Sequence, residues 1–275
     1  MPALYTPPVD RPIVVLDTEN AAAHGAPHLV ELGAVRVVEG EVVEHFAELV
    51  CPQTPIDPET TEVHGITDDD VRSADEAGPV LERFFDWVGE DWMAAHRAEA
   101  DAWTLGFEAT RHGLAMPGGV MLDTLRLARK LIPESADHKL DTLAQHLELE
   151  SGGRHRALED ATLCWQVLEE CARRIGSATT AAELLARSSP PVTIPGTAPR
   201  TPRLNQRHRP LESACRDAQT VHLQYGDTES REPAWLEVRP RVLYATRQRS
   251  YLEAECQRSG LLKTYRLDRI RRVRS

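Results

Sequence analysis

The stretch IVVLDTENAAAHGAPHLVELGAVRVVEGEVVEHFAELV, residues 13–50, already holds most of a sheet. Apolar residues run from Ile13 to Leu16, from Leu29 to Val38 and from Val42 to Val50, either β-branched throughout or alternating with polar neighbours, which predicts three strands. Glu39-Gly40-Glu41 predicts a hairpin between the second and third. Strand side chains alternate between faces, so Asp17 and Glu19 share one face where the first strand ends. Two carboxylates on one face repel unless a cation neutralises them, so the pair asks for a metal. A polar strand end meeting solvent gives the same two letters, and the pair alone decides nothing.

Further along, the 3.6-residue period takes over at Val80 to Val88, Ala98 to Gly113, Thr124 to Leu131, Leu140 to Leu147 and Ala157 to Ile175. Trp92 to Ala95 and Val120 to Leu122 interrupt it as short buried strands. Strands followed by alternating helices and strands predict a mixed sheet flanked by helices, an α/β domain. The composition then changes. Ser188 to Pro210, SSPPVTIPGTAPRTPRLNQRHRP, holds six of the 19 prolines and reads as an extended linker. Beyond it, Leu211 to Ala218 predicts a short helix, and TVHLQYG, AWLEVRPRVLYAT, SYLEAECQ and KTYRLDRIRRV predict a small all-β unit. The expected division is a first domain over 1–187, a linker over 188–209 and a second domain over 210–275.

Charge divides the chain at the same place. Residues 1–187 carry 34 acidic against 15 basic side chains, and residues 188–275 carry 9 against 17, so the net charge of -11 hides two units with different partners. No window approaches the run of apolar residues that a membrane-spanning helix needs, and the N-terminus has no secretory pattern, so no membrane partner and a cytoplasmic location are expected. Five scattered cysteines without a CxxC pair read as reduced thiols.

Two more segments join the first acidic pair. AHRAEAD puts Asp101 in the first turn of a helix, where an acid also suits the helix dipole. RHRALEDA puts His155 just before the long helix and Asp160 one turn inside it; alone, His155 reads as a surface or capping histidine. Four acids from separate elements and one histidine match two-metal phosphodiester hydrolysis, in which cations clamp attacking and leaving oxygens and a base takes a proton from water. Arg126, Arg129 and Lys130 lie on one helical stretch and read either as solvated positions or as a local basic patch.

Taken in order, VVLDTEN, EVHGITDDDV, AHRAEAD, HKLDTLAQHL and HRALEDA resemble the motifs of the DEDDh 3'-to-5' exonucleases, relatives of the epsilon proofreading subunit of bacterial DNA polymerase III. The resemblance implies a ribonuclease H-like fold with a five-stranded mixed sheet. It implies that Asp17, Glu19, Asp101 and Asp160 hold two Mg2+ or Mn2+ ions and that His155 is the general base. It further implies single-stranded DNA or RNA 3' ends as substrate, with a replication or DNA-repair protein as partner. His64, Gly65 and Ile66 become substrate-side candidates; otherwise they form a turn into a helix capped by Asp68, Asp69 or Asp70. The chain departs from the family where Asn20 leads into AAAHGAPH and where Arg97 stands in place of a more usual Asn. Arg97 offers a phosphate contact or a partner for Glu99.

The segment from Leu211 resembles a WYL domain, a small Sm or SH3-like barrel, through TVHLQYG, EVRPRVLYA, Ser250-Tyr251-Leu252 and KTYRLDRIRRV. That resemblance implies a nucleic-acid or nucleotide ligand, with Tyr251, Lys263, Arg266 and Arg269 on the ligand face and Tyr265 and Ile270 in the core. Three functions stay open: a 3'-to-5' exonuclease acting on DNA, the same enzyme acting on RNA, and a regulatory sensor whose nuclease fold mainly binds.

Overall fold

A computed structural model describes residues 10–22, 25–149, 156–176, 179–226, 234–246 and 249–274. Two compact units emerge, the first running through Pro27–Ala198 together with the opening strand, the second from Pro199 onward.

In the first unit, strands β1 (Ile13–Asn20), β2 (Leu29–Val38) and β3 (Glu41–Leu49) form the expected antiparallel set. Helices α1 (Pro58–His64), α2 (Asp68–Val71) and α3 (Ala77–Val88) follow, then β4 (Trp92–Ala95), α4 (Glu99–His112), β5 (Met121–Asp123) and α5 (Thr124–Leu131). Helices α6 (Leu140–His146), α7 (Ala157–Ile175), α8 (Ala181–Ser188) and α9 (Ile194–Thr197) complete it. Sheet order is β3-β2-β1-β4-β5, with β4 and β5 parallel to β1. The mixed α/β architecture expected from the sequence is therefore present.

Strand alternation assigns the two cores. Ile13 and Val15 face α5, α7 and α8 through Leu127, Val167, Leu168 and Leu184, whereas Val14 and Leu16 face α3 and α4 through Leu81, Phe84 and Leu105. Carried two residues further, the same alternation turns Asp17 and Glu19 toward α7 and Thr18 toward α4.

The proline-rich stretch departs from the expected extended linker. Val192 pairs with Met121 at the sheet edge, Ile194 is fully buried in the Val14 core, and Ala198 lies against Gly106 of α4. Residues 188–198 thus belong to the first unit. Proline spacing marks a break in regular structure, but it does not tell a free tether from a chain held down by two apolar anchors. Helices α1, α2, α8 and α9 lie outside the segments that the 3.6 period marks; α2 and α9 are four residues each, too short to show a period. Their caps were nonetheless in the letters: Thr67 with Asp70, and Thr180 with Glu183, form capping boxes. Thr67, and not one of the three aspartates after it, is the cap of α2.

The second unit contains α10 (Arg209–Arg216), β6 (Val221–Tyr225), β7 (Ala234–Ala245), β8 (Ser250–Cys256), β9 (Leu262–Arg266) and β10 (Ile270–Arg274). All neighbours are antiparallel in the order β10-β6-β7-β8-β9, a small barrel-like sheet with its own core of Leu211, Leu223, Val238, Leu252, Tyr265 and Ile270. No helix among the described residues is long and apolar enough to cross a membrane.

Candidate active site

The site begins with β1. Asp17 and Glu19, on the α7 side of the sheet, each offer a carboxylate oxygen that lies within 4.8 Å of the others in a group completed by Asp160. Asp160 sits in the first turn of α7 and is buried. Asp101 comes from the first turn of α4; it too is buried, and its Oδ1 accepts a hydrogen bond of 2.9 Å from the Thr18 hydroxyl. Thr18 faces α4 because its neighbours face α7, so one strand end handles acids from both layers.

Electrostatics records the crowding. Withdrawal from water pushes the Asp17 carboxyl well above the usual carboxylate range, and the charges of Asp101, Glu19 and Asp160 push it further. Asp101 is pushed up to about 7, chiefly by burial, with the Thr18 hydrogen bond acting against the shift and the charge of Asp123 adding to it. Oxygen donors held close enough to raise one another's proton affinity suit a hard divalent cation, which removes the repulsion without a proton. The donor set fits that group.

Two residues that the sequence reading passed over build this geometry. Gly33 of β2 pairs in register with Asp17, and a Cβ there would stand 2.1 Å from the Leu158 nitrogen and 2.2 Å from the Ala157 carbonyl carbon. Only a glycine lets the start of α7 rest on the sheet, which brings Asp160 down to Asp17. Glu31, opposite Glu19 in register, is buried; it accepts hydrogen bonds from Arg156 Nε at 3.0 Å and from the Ala157 backbone N–H at 2.9 Å. No side chain at the α7 N-cap position caps the helix, so the Glu31 carboxylate caps it from β2. The signal is an acid and a glycine inside the otherwise apolar run LVELGAV.

His155 lies outside the described residues; its neighbour Arg156 is the residue Glu31 clamps. His64 is buried, its Nδ1 accepts from the Ile66 backbone N–H at 3.0 Å, and burial lowers its proton affinity while the Asn20 carbonyl acts the other way. The charges of Glu31 and Arg156 also reach it. Gly65 ends α1 in the left-handed region at φ 75°. Ile66 packs into a small cluster with Ala21, Val30, Ile56 and Val71, a core position more than a surface one. Arg97 is exposed at the turn into α4, and Glu99 is taken by Arg126 at 2.6 Å. The Asn20 loop is closed by Ala21 N–H to His28 O at 2.8 Å, and Glu108 of α4 accepts from Leu29 N–H at 3.0 Å.

Within the second unit, Tyr251 stacks on Tyr244 at 5.1 Å and pairs across strands with Arg266, which is bound to Asp268. Lys263 pairs with Ala254 and therefore takes the opposite face of the β8–β9 ladder. Arg269, in the turn Leu267–Arg269 before β10, is half-buried. The four expected ligand-face residues are thus divided between two faces and a turn. Tyr265 and Ile270 are buried in the core, as expected.

Comparison with known proteins agrees with this geometry. Residues 14–168 match the family model described as Exonuclease, and residues 206–275 match the WYL domain. The DNA polymerase III PolC-type of Oceanobacillus iheyensis is 35% identical over 161 residues, which cover 57% of this chain and 11% of that protein. Its counterpart in Bacillus cereus is 34% identical over 148 residues, 54% of this chain and 10% of the relative. The chain therefore spans about a tenth of the length of these relatives. Among solved structures, exonuclease X in complex with 5' overhanging duplex DNA is 26% identical at a TM-score of 0.51, covering 64% of this chain and 99% of that one. The nuclease domain of 3'hExo, a DEDDh family member bound to rAMP, shares the fold at 19% identity and a TM-score of 0.52, over 59% of this chain and 92% of its own.

Proposed function

Because this chain belongs to the exonuclease family and carries a WYL domain after it, we propose that it is a metal-dependent 3'-to-5' exonuclease releasing nucleoside monophosphates from single-stranded 3' ends. The observation that carries the proposal is the grouping of Asp17, Glu19 and Asp160 within 4.8 Å, with Asp101 tied to the same strand end. These four acids would hold two Mg2+ or Mn2+ ions. When bound, the ions supply positive charge against the oxygens of the phosphoryl group in transit. His155 is assigned the proton removal from water, and the Glu31–Arg156 clamp next to it fixes where that segment enters α7. His64, Gly65 and Arg97 are assigned to the substrate side.

The polymerase relatives favour DNA ends and a replication or repair setting, with RNA as the alternative. An acidic catalytic unit captures a polyanion poorly, because binding draws on counterion release at basic contacts. The C-terminal unit, in the stretch 188–275 with 17 basic against 9 acidic residues, is assigned that capture.

The test is degradation of 3'-labelled and 5'-labelled single-stranded DNA and RNA by the full chain in Mn2+, Mg2+ or chelator, beside Asp160→Ala. Metal-dependent release of mononucleotides from the 3' end, lost in the variant, is expected. Undiminished cleavage by Asp160→Ala refutes the site.

A further inference from the structure

A cavity of about 830 Å³ opens in the first unit. Its walls are the turn after β4 (His96, Arg97), the end of β5 with α5 (Asp123, Arg129), and the turn before α6 (His138, Lys139). Arg97 precedes Asp101 by four residues, and Asp123, in the cavity wall, acts by its charge on Asp101.

The charges in the cavity do not cancel. Its acids are engaged: Glu99 with Arg126 at 2.6 Å, Asp123 with the Arg126 backbone N–H at 3.0 Å, Asp137 with the Lys139 backbone N–H at 3.0 Å, and Asp141 likewise partnered. Arg97 and Arg129 are both exposed, and neither side chain makes a hydrogen bond or ion pair among the described residues. Two arginines are therefore left facing solvent in a catalytic unit that is otherwise strongly acidic.

Two of the five non-glycine residues with positive φ among the described residues lie in the same place. Arg97 at φ 68° and His138 at φ 61° occupy the left-handed region, which residues with a Cβ adopt at a cost, and both line this cavity. The His138 turn is held from two sides. Its carbonyl accepts from His96 Nε2 at 2.9 Å, and its own Nε2 lies 3.0 Å from the Ile132 carbonyl oxygen. His96 is anchored in turn by Nδ1, 2.9 Å from the Thr124 hydroxyl. Non-glycine residues in this region cluster at functional sites.

We propose that this cavity is a subsite for an internal phosphodiester of the substrate strand, upstream of the 3'-terminal nucleotide, with Arg97 and Arg129 as its phosphate contacts. The inference rests on the exonuclease reading and extends it from the cleaved end to the strand behind it. Planar guanidinium groups suit phosphate oxygens, and the cavity has room for a nucleotide and not only for a bare ion. In this reading Arg97 supplies a cation in a unit where acids outnumber bases by 34 to 15 over residues 1–187.

The experiment is salt-dependent binding of a fluorescent single-stranded DNA to the full chain in chelator, for the parent protein, Arg129→Ala, Arg97→Asn, the double variant and Arg129→Lys. Asn is chosen at 97 because it tolerates the left-handed region, and thermal melting verifies the fold of each variant. Each lost contact is expected to lower the slope of log K against log salt by about 0.7, the double variant by about 1.4, and Arg129→Lys to keep the parent slope. Unchanged slopes in folded variants, with the parent still cleaving 3'-labelled DNA in Mn2+, overturn the subsite and leave the exonuclease reading standing. A parent protein that neither binds nor cleaves the strand overturns both. If inorganic phosphate binds the parent more tightly than the double variant while the strand slopes stay equal, the cavity is a free-phosphate site and the proposal is wrong.

Discussion

Replacing Gly33 with alanine tests whether the acid group is assembled by backbone contact between β2 and α7. The added Cβ would meet main-chain atoms, at 2.1 Å from the Leu158 nitrogen and 2.6 Å from the Ala157 oxygen, so no side-chain rotation relieves it. Reaching even 3.0 Å requires the start of α7 to withdraw by about 0.9 Å. Asp160 rides on that turn, and its oxygen belongs to a group only 4.8 Å across. A displacement of about 1 Å in catalytic geometry costs on the order of 100-fold in rate, or about 2.7 kcal/mol of barrier. Overpacking should also cost stability, about 1–3 kcal/mol. The assay is kcat/KM for 3'-labelled single-stranded DNA in Mn2+, with circular dichroism at the assay temperature to verify folding and urea melts to measure the stability loss. Gly118→Ala serves as the control, because nothing lies within 4 Å of a Cβ built there. A folded Gly33→Ala protein with activity within threefold of the parent would refute the reasoning, since it would mean that α7 does not need the sheet contact to present Asp160.

Glu31→Ala should remove the cap of α7 and the partner of Arg156 together, lowering stability by about 1–3 kcal/mol and kcat more than it raises KM; Glu31→Gln, which keeps an acceptor, should fall between, and equal kcat in all three proteins would deny Glu31 a positioning role. In chelator, Asp101 keeps its proton in the folded protein up to about pH 7 but loses it near 3.8 when unfolded, so unfolding releases a proton between these values and stability falls as pH rises through that window. Asp101→Asn should therefore gain in melting temperature over the parent from pH 4 to pH 7, and a constant difference would contradict the shift. A protein ending at Ala198 should melt like the first unit, whereas one ending at Arg187 loses Val192 and Ile194 from the core and should be less stable by about 2–5 kcal/mol; coincident melts would restore the linker reading.

How much of this was legible in the letters depended on the distance over which each role is defined. Strand alternation is local, so Val14, Val15 and Leu16 announce their faces, and the shared face of Asp17 and Glu19 follows from the same count. The helix periods of α3, α4, α5 and α7 are equally local, and the acids in the first turns of α4 and α7 can be located without knowing what they meet. Gly33 and Glu31 are different. A glycine and an acid within LVELGAV weaken a strand by local rules, and they make sense only because Leu158 and Arg156, about 125 positions away, descend on them. The same holds for Val192 and Ile194, whose prolines suggested freedom while their side chains filled a core made far upstream. Local reading thus finds the groups that do chemistry and misses the contacts that set their spacing. The two sets meet in adjacent register, Asp17 opposite Gly33 and Glu19 opposite Glu31, so the antiparallel pairing of β1 with β2 is what converts a pair of acids on one strand into a site shared with α7.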